Sequence, residues 1–495
     1  MTCPGDRRHT HRLTRALPGA LATILAATAG AQGAQPASTP RALVERALGA
    51  MGGEAAARAV RGRQLDFVAI NFALGQEQWP EGPMSAAVTD FSESWDYAGG
   101  RRVSTQNVPG VARQRVVVTP AGGMTVRNDT TRLPAAPAFV TAFPRQMRQL
   151  APERLLVAAL APDARLTPLA RRAWRGRTLA GARYVGTLDT LDLWFDTATG
   201  RLAATETTTD DPVLGERRSF TAFTRWRRAA GEPAIELPHQ MDVFVNDRLV
   251  QTSTIRTLRV NPPLDEAAFA APDSILALSL ANARHAAARP SVTLAELAPG
   301  VYHVTGGSHN SLAVVQDDGI VLVEAPQSDD RVRAVLDTLR ARFPGKRMKL
   351  AVATHHHSDH IGGVRAAFAA GLPLAAHRQS AAYLRRVGIG ATYAARDARR
   401  AVQEVADSVT VGAGDTRVLL FAVSNSHADG MLAAYVPAAR ILFAADIAPG
   451  NPFFQRELID AVRARGLQVE RLAPAHGAVT PWETLVQQTE QAVGR

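Results

Sequence analysis

Residues 354–363 read Thr-His-His-His-Ser-Asp-His-Ile-Gly-Gly and contain the spacing H-x-H-x-D-H. In an extended loop His355 and His357, two residues apart, point to the same side and can chelate one ion. Asp359 and His360 stand at the entrance to a helix suggested by residues 364–370. They are aimed differently and can serve a second ion. Gly362 and Gly363 let the backbone pass close to such a site. Three later residues extend the set: His427 after the apolar run 418–423, Asp446 at the end of 441–445, and His476 after 469–475. Each follows a strand-like run, and sites in layered α/β folds gather at the C-terminal ends of strands. His356 fills an intervening position and is expected to point away from the ions. His309, in Gly307-Ser308-His309-Asn310-Ser311, either lines the mouth of the cleft or is ordinary loop polarity. His239, His285, His303 and His377 show no partner in the sequence and are read as structural.

Nitrogen and carboxylate ligands without sulfur suit zinc, with iron or manganese as the other choices. The one cysteine, Cys3, stands far from the cluster. Two ions ~3.5–4 Å apart share a water, lower its pKa toward ~7 and polarise a carbonyl or phosphoryl oxygen. Hydrolysis of an ester, lactone, thioester, lactam or phosphoester is open to such a pair. Asp359, the carboxylate inside the motif, is the candidate for direct participation in catalysis.

The elements that must hold these residues are legible in outline. Residues 301–304, 311–316 and 320–324 are strand-like and 330–343 has helical spacing. The short apolar run 348–354 is a buried strand leading directly into the histidine motif. Strands alternating with helices imply an α/β arrangement. Residues 61–272 differ, with period-two alternation bounded by turns, the pattern of antiparallel strands. Residues 191–195 and 202–207 flank one turn, and 241–245 and 249–255 flank the turn Asn246-Asp247. One helical stretch, 145–160, interrupts the strands, and 39–48 reads as a short amphipathic helix. The organisation expected is a β-rich domain over 41–272, an alanine-rich linker over 273–290 that can take helical form, and the metal-binding domain over 291–495.

At 495 residues the chain exceeds one ordinary core. With 46% apolar and 20% charged residues it is globular, which excludes disorder and fibrous repeats. A net charge of +11 invites a nucleic-acid reading. However, only Lys346 and Lys349 are lysines among 56 basic residues, and the arginines are spread along the whole chain. No phosphate-binding stripe follows, and no nucleic-acid partner is expected. Arg7, Arg8, Arg12 and Arg15 precede a mostly apolar stretch, 16–31, too short to span a bilayer. It ends in Ala29-Gly30-Ala31, so residues 1–31 read as a signal peptide cleaved near Ala31. Export would remove Cys3 and place the protein in the periplasm or outside the cell, with no transmembrane segment left.

Taken together, the ordered set of ligand motifs resembles the metallo-β-lactamase superfamily over residues 294–495. The resemblance implies an αββα sandwich, two sheets between outer helices. It implies a first metal on His355, His357 and His427, and a second on Asp359, His360 and His476, with Asp446 bridging both. Glu324 stands where many members carry Asp, at a supporting position. The first half resembles the periplasmic lipoprotein-carrier fold through Asp196-Thr197-Ala198-Thr199-Gly200-Arg201-Leu202, Leu237-Pro238-His239 and Arg259-Val260-Asn261-Pro262-Pro263-Leu264. The fold class expected is therefore α/β: the sandwich preceded by a mostly antiparallel β domain with few helices. The function expected is a secreted, dinuclear zinc hydrolase of a small-molecule substrate. Export argues against nuclease and glyoxalase-type roles. An aspartate bridge at Asp446 looks more like the thioesterase and lactonase branches than like the lactamases. Three alternatives stand beside it: a β-lactamase, a mononuclear iron sulfur dioxygenase, and a ligand-binding protein with a vestigial metal site. Since all seven candidate ligands lie beyond residue 290, a piece beginning near Ser291 is expected to keep at least part of the activity.

Overall fold

The computed structural model describes residues 39–107, 113–288, 290–388, 401–447 and 450–494. The expected signal segment, 1–31, lies outside them. Among the described residues the strands form three sheets, of 13, 7 and 6 strands. No helix there is long and apolar enough to cross a membrane.

The first sheet is an antiparallel meander. Its first strand, Gly62–Phe72, pairs in the middle of the sheet with its last, Arg248–Val260, joining the two halves of the meander. The hairpin at Asn246-Asp247 has φ of 47° and 67°, the left-handed pair that matches strand twist in a two-residue turn. Helices Pro40–Met51, Pro137–Gln149 and Pro152–Ala159 cover one face. There Val44, Leu48, Leu155 and Leu156 pack with Leu65, Trp95, Leu193 and Phe195. The single helix expected over 145–160 is two helices. Ala151 is extended (φ −126°, ψ 85°) because the ring of Pro152 disfavours helical geometry in the residue before it.

The alanine-rich stretch expected as a linker holds the helix Asp273–Ala287, packed on the strand Gly122–Arg127. Ser279, fully buried, donates to the Ala135 carbonyl (3.1 Å) and accepts from Gly123 N–H (3.3 Å). The approach is so close that a Cβ on Gly122 would lie 2.1 Å from the Leu276 carbonyl. The stretch is part of the packing rather than a free tether.

The second half is an αββα sandwich. Strands Gly319–Val323, Met348–Val352, Leu374–His377 and Val402–Val405 run parallel in the seven-stranded sheet. Leu312, Val323 and Val352 of that sheet meet Leu420, Leu432 and Phe443 of the six-stranded one, forming the central core. Helices Asp329–Arg342, Val364–Ala369 and Arg378–Leu384 seal one outer face, and Pro452–Ala464 and Trp482–Val493 the other. Strands buried on both faces read as apolar runs, which is why Gly319–Val323 and Met348–Val352 were visible in the sequence while the short, partly exposed Val402–Val405 was not.

The two halves grip each other. Val213, in the turn between strands Leu202–Asp211 and Gly215–Arg228, is buried in the helix-covered core of the sandwich, and its carbonyl accepts from Gly388 N–H at 2.7 Å. Arg365, nearly buried, donates to both Asp210 oxygens (2.8 and 2.7 Å) and to Asp329 (2.8 Å), pinning that hairpin to the sandwich. A second contact, through residues 73–85, enters the candidate site.

Candidate metal centre

The histidine motif begins where the strand Met348–Val352 ends. Thr354, His355, His356 and His357 are buried in the loop, and the short helix Ser358–Ile361 carries Asp359 and His360. This loop is squeezed against the preceding turn. A Cβ on Gly362 would lie 2.2 Å from the Gln327 carbonyl, and one on Gly363 2.0 Å from the side chain of Val332. Glu324, Gln327 and Asp446, none of them glycine, have φ of 78°, 66° and 54°. Such strained backbone persists only where surrounding structure over-determines it, and it clusters at functional sites.

Asp446 is the centre of the arrangement. Its Oδ1 lies 3.0 Å from His360 Nε2 and 2.8 Å from His476 Nε2; its Oδ2 lies 3.1 Å from His427 Nε2 and 3.7 Å from His355 Nε2. One carboxylate thus faces both groups of histidines. His355, His357, His427 and Asp446 can converge on one ion, and Asp359, His360 and Asp446 on another. His360 and His476 converge also with His309.

The buried atoms His355 Nε2, His357 Nδ1, His360 Nε2, His427 Nε2 and Asp446 Oδ1 have no partner in hydrogen-bonding geometry. Uncompensated burial of that many polar atoms is costly, and native proteins avoid it. The opposite ring nitrogens of His355, His357 and His360 are engaged. His355 Nδ1 meets Thr354 Oγ1 (3.1 Å), His357 Nε2 the Glu77 carbonyl (3.0 Å), and His360 Nδ1 Glu324 Oε2 (2.8 Å). His476 Nδ1 meets the Ser308 carbonyl (3.0 Å). Holding one imidazole nitrogen and leaving the other aimed inward is how proteins orient metal ligands. The residues therefore fit metal ions.

The electrostatics agree. Burial, aided by neighbouring imidazoles, holds His355 far below the ordinary histidine range and His357 down to about 4, so both are neutral donors at pH 7. Burial would lower His360 as well, but Glu324 and Asp446 on either side push it up to about 10. Burial would raise Asp446 and Asp359. The imidazoles of His360, His427 and His476 facing Asp446, and His309 bonded to Asp359, hold both carboxyls below their usual range instead. Ionised Asp359 and Asp446 and neutral His355 and His357 are thus in the forms that bind metal, whereas His360 gives up a proton when it binds one.

The sequence expected all seven ligands, and the structure brings His355, His357, Asp359, His360, His427, Asp446 and His476 into one cluster. Glu324 has the supporting place expected, its other oxygen accepting from Thr354 N–H at 3.1 Å. His309, left undecided between two readings, stands inside the cluster. Its Nε2 is 3.2 Å from Asp359 Oδ2, and its ring lies against those of His360 and His476. His303 is structural, its Nε2 2.9 Å from the Pro474 carbonyl. Sequence reasoning missed Gln76, Glu77 and Gln78, which reach the site from the first sheet. No spacing pattern links them to ligands nearly 300 residues away.

Comparison with known proteins agrees with this geometry: residues 304–478 match the family model described as the metallo-beta-lactamase superfamily. This part of the chain is a metallo-β-lactamase superfamily domain. A curated relative, the 2,4-dinitroanisole O-demethylase subunit alpha of Nocardioides sp. (strain JS1661), is 27% identical over 166 residues. That match covers 33% of this chain and 49% of the relative, so the chain spans about half the relative's length. Among solved structures, a metallo-β-lactamase from Pontibacter korlensis aligns at 16% identity and a TM-score of 0.34, over 41% of this chain and 100% of that one. The DIM-1 metallo-β-lactamase aligns at 16% identity and a TM-score of 0.35, over 41% and 98%.

Proposed function

We propose that this protein is an exported hydrolase that activates water on a dinuclear metal centre, zinc before iron or manganese, to cleave an ester, lactone, thioester or amide-type bond. The observation that carries the reading is Asp446, whose two oxygens face two separate groups of histidines. In this assignment His355, His357 and His427 would hold one ion, Asp359, His360 and His476 the other, and Asp446 would serve both. Two bound ions supply hydroxide at neutral pH and polarise the bond to be cut. The chain's own residues orient that chemistry. Glu324 fixes His360, Thr354 fixes His355, and the strained turn at Asp446 aims its carboxylate inward. Asp359, flanked by His309, would orient the attacking water by accepting a hydrogen bond from it.

The Nocardioides relative adds a second bond class. Its name makes it part of an O-demethylase acting on 2,4-dinitroanisole, so a nitro-activated aryl ether belongs among the candidate substrates. A β-lactam remains the runner-up, and a single-iron sulfur dioxygenase the alternative outside hydrolysis.

Metal analysis of the purified protein is the test, followed by turnover of ester, lactone, thioester, aryl-ether and chromogenic cephalosporin substrates. About two zinc equivalents with ester or lactone turnover is the expected result. One iron and no zinc would overturn the hydrolase reading. Export is tested by mass spectrometry of the natively expressed protein, where an intact Met1 would overturn cleavage near Ala31.

A further inference from the structure

We propose that the loop joining the first two strands of the N-terminal sheet, residues 73–85, is a built-in part of the metal centre, with Gln76 and the Glu77 carbonyl as positioning groups. This rests on the two-metal reading above. The loop leaves the sheet between strands Gly62–Phe72 and Ala86–Asp96, its base closed by Ala73 N–H on the Ser85 carbonyl at 3.0 Å. It then lies along the metal-binding loop as a finger.

Consecutive residues of the finger touch consecutive parts of the site. The Gly75 carbonyl accepts from Ser358 N–H at 2.9 Å, in the middle of the histidine motif. Gln76 Nε2 donates to Asp359 Oδ1 at 2.8 Å. The Glu77 carbonyl lies 2.9 Å from His356 Nε2 and 3.0 Å from His357 Nε2, using both of its lone pairs. Gln78 accepts from Asp429 N–H at 2.7 Å and donates to Asp429 Oδ1 at 2.9 Å, two residues beyond His427. The Glu77 side chain is buried and anchored on Arg248 at 3.0 Å, so the finger is tied back to its own sheet.

Two of these contacts act on ligand chemistry. A carbonyl can only accept, so His357 must carry its proton on Nε2, and its lone pair is then on Nδ1, the unpartnered atom facing His355, His427 and Asp446. Asp359 is held between Gln76 on Oδ1 and His309 on Oδ2, one group from each half of the chain. Among the described residues, the catalytic half supplies no hydrogen bond to His357 Nε2 in place of the Glu77 carbonyl. Outer partners of this kind are worth about 10–100-fold in metal affinity.

The finger's fit allows a graded test on the full chain. Gln76→Met keeps the side chain's length but removes the donor to Asp359. Gly75→Ala adds a Cβ 2.8 Å from Ser358 Cβ at a residue with φ of 79°, so the finger must move. Glu490→Ala removes an exposed ion pair with Arg463 between two outer helices, away from the finger, and serves as the control. Zn2+ is titrated against a competing chelator, and the visible d–d bands of the Co2+-loaded proteins are recorded. The wild type and Glu490→Ala should bind two equivalents alike. In Gln76→Met the second equivalent should bind roughly 10–100-fold more weakly, with the first unchanged and the Co2+ bands altered. Gly75→Ala should weaken both equivalents, and if that variant fails to fold, Gln76→Met still decides. Two equivalents bound by Gln76→Met as tightly as by the wild type, with identical Co2+ bands, would overturn the inference. A wild type that binds neither ion would overturn the metal-centre reading itself, and this inference with it.

Discussion

The two halves of this protein are built by opposite rules. In the N-terminal sheet, sequence neighbours are nearly always spatial neighbours, and the one long-range pairing joins its first strand to its last. Its polar clusters tie strands to each other or to the helices above them, as Arg63 does beneath Trp95. In the sandwich, parallel strands need crossovers, and the ends of strands far apart in sequence are brought to one place. There Asp446 lies within contact of four histidines spread from 355 to 476. The first half is a scaffold and the second a site. Yet the scaffold's hairpin at Val213 and its finger at 73–85 enter the second half, so precision at the metals is shared although the ligands are not.

The contrast is sharpest at Asp446. Its replacement by alanine should take metal content from about two equivalents to about one, and activity should fall by roughly a thousandfold or more. The strand signature in far-ultraviolet circular dichroism should be unchanged, because no hydrogen bond of the first sheet involves this residue. Elemental analysis and turnover of the same preparation check it. Retention of both ions would show that Asp446 does not span them.

A piece beginning near Ser291 tests the sharing of precision. The sequence alone led to the expectation that it keeps at least part of the activity, since every candidate ligand is present. The contacts of Gln76, Glu77 and Val213 lead to a different outcome: loss of about a hundredfold in activity, with weaker metal binding. Full activity of that piece would reduce the finger to packing.

The hairpin contact can be broken alone. Arg365→Ala removes the nearer cation from buried Asp329 and leaves Arg333 at 3.8 Å, and loss of one member of a buried ion pair costs about 3 kcal/mol. A lower thermal midpoint with metal stoichiometry intact is expected. A change in stoichiometry instead would mean that this contact, like the finger, reaches the site.

The smallest effect should come from His356→Ala. His356 shares the Glu77 carbonyl with His357 but contributes to no ligand group among the described residues. Metal content near that of the wild type is expected from elemental analysis. A loss as severe as that of Asp446→Ala would mean that the register of the motif has been misread.

What the sequence determined is what local pattern and residue chemistry can encode. The alternation of residues 191–207 demands a hairpin, and apolar runs such as 348–352 demand strands buried on both faces. Histidine and aspartate placed just past those runs carry their chemistry in their identity, so the seven candidate ligands, which the fold brings together, were legible as candidates without it. Even the break at Ala151 follows from Pro152, although helical periodicity ran across it. Other features were set only by the tertiary structure. Ser279 turned an alanine-rich stretch into a packed helix because Gly122 and Gly123 admit it. His309 joined the cluster because its loop folds back over Asp359. Gln76 and Glu77 became partners of Asp359 and His357 across some 280 residues. Hydrogen bonds of this last kind leave no periodic trace, since a carbonyl that accepts from an imidazole is the same in every residue, and only the folded chain decides which one arrives.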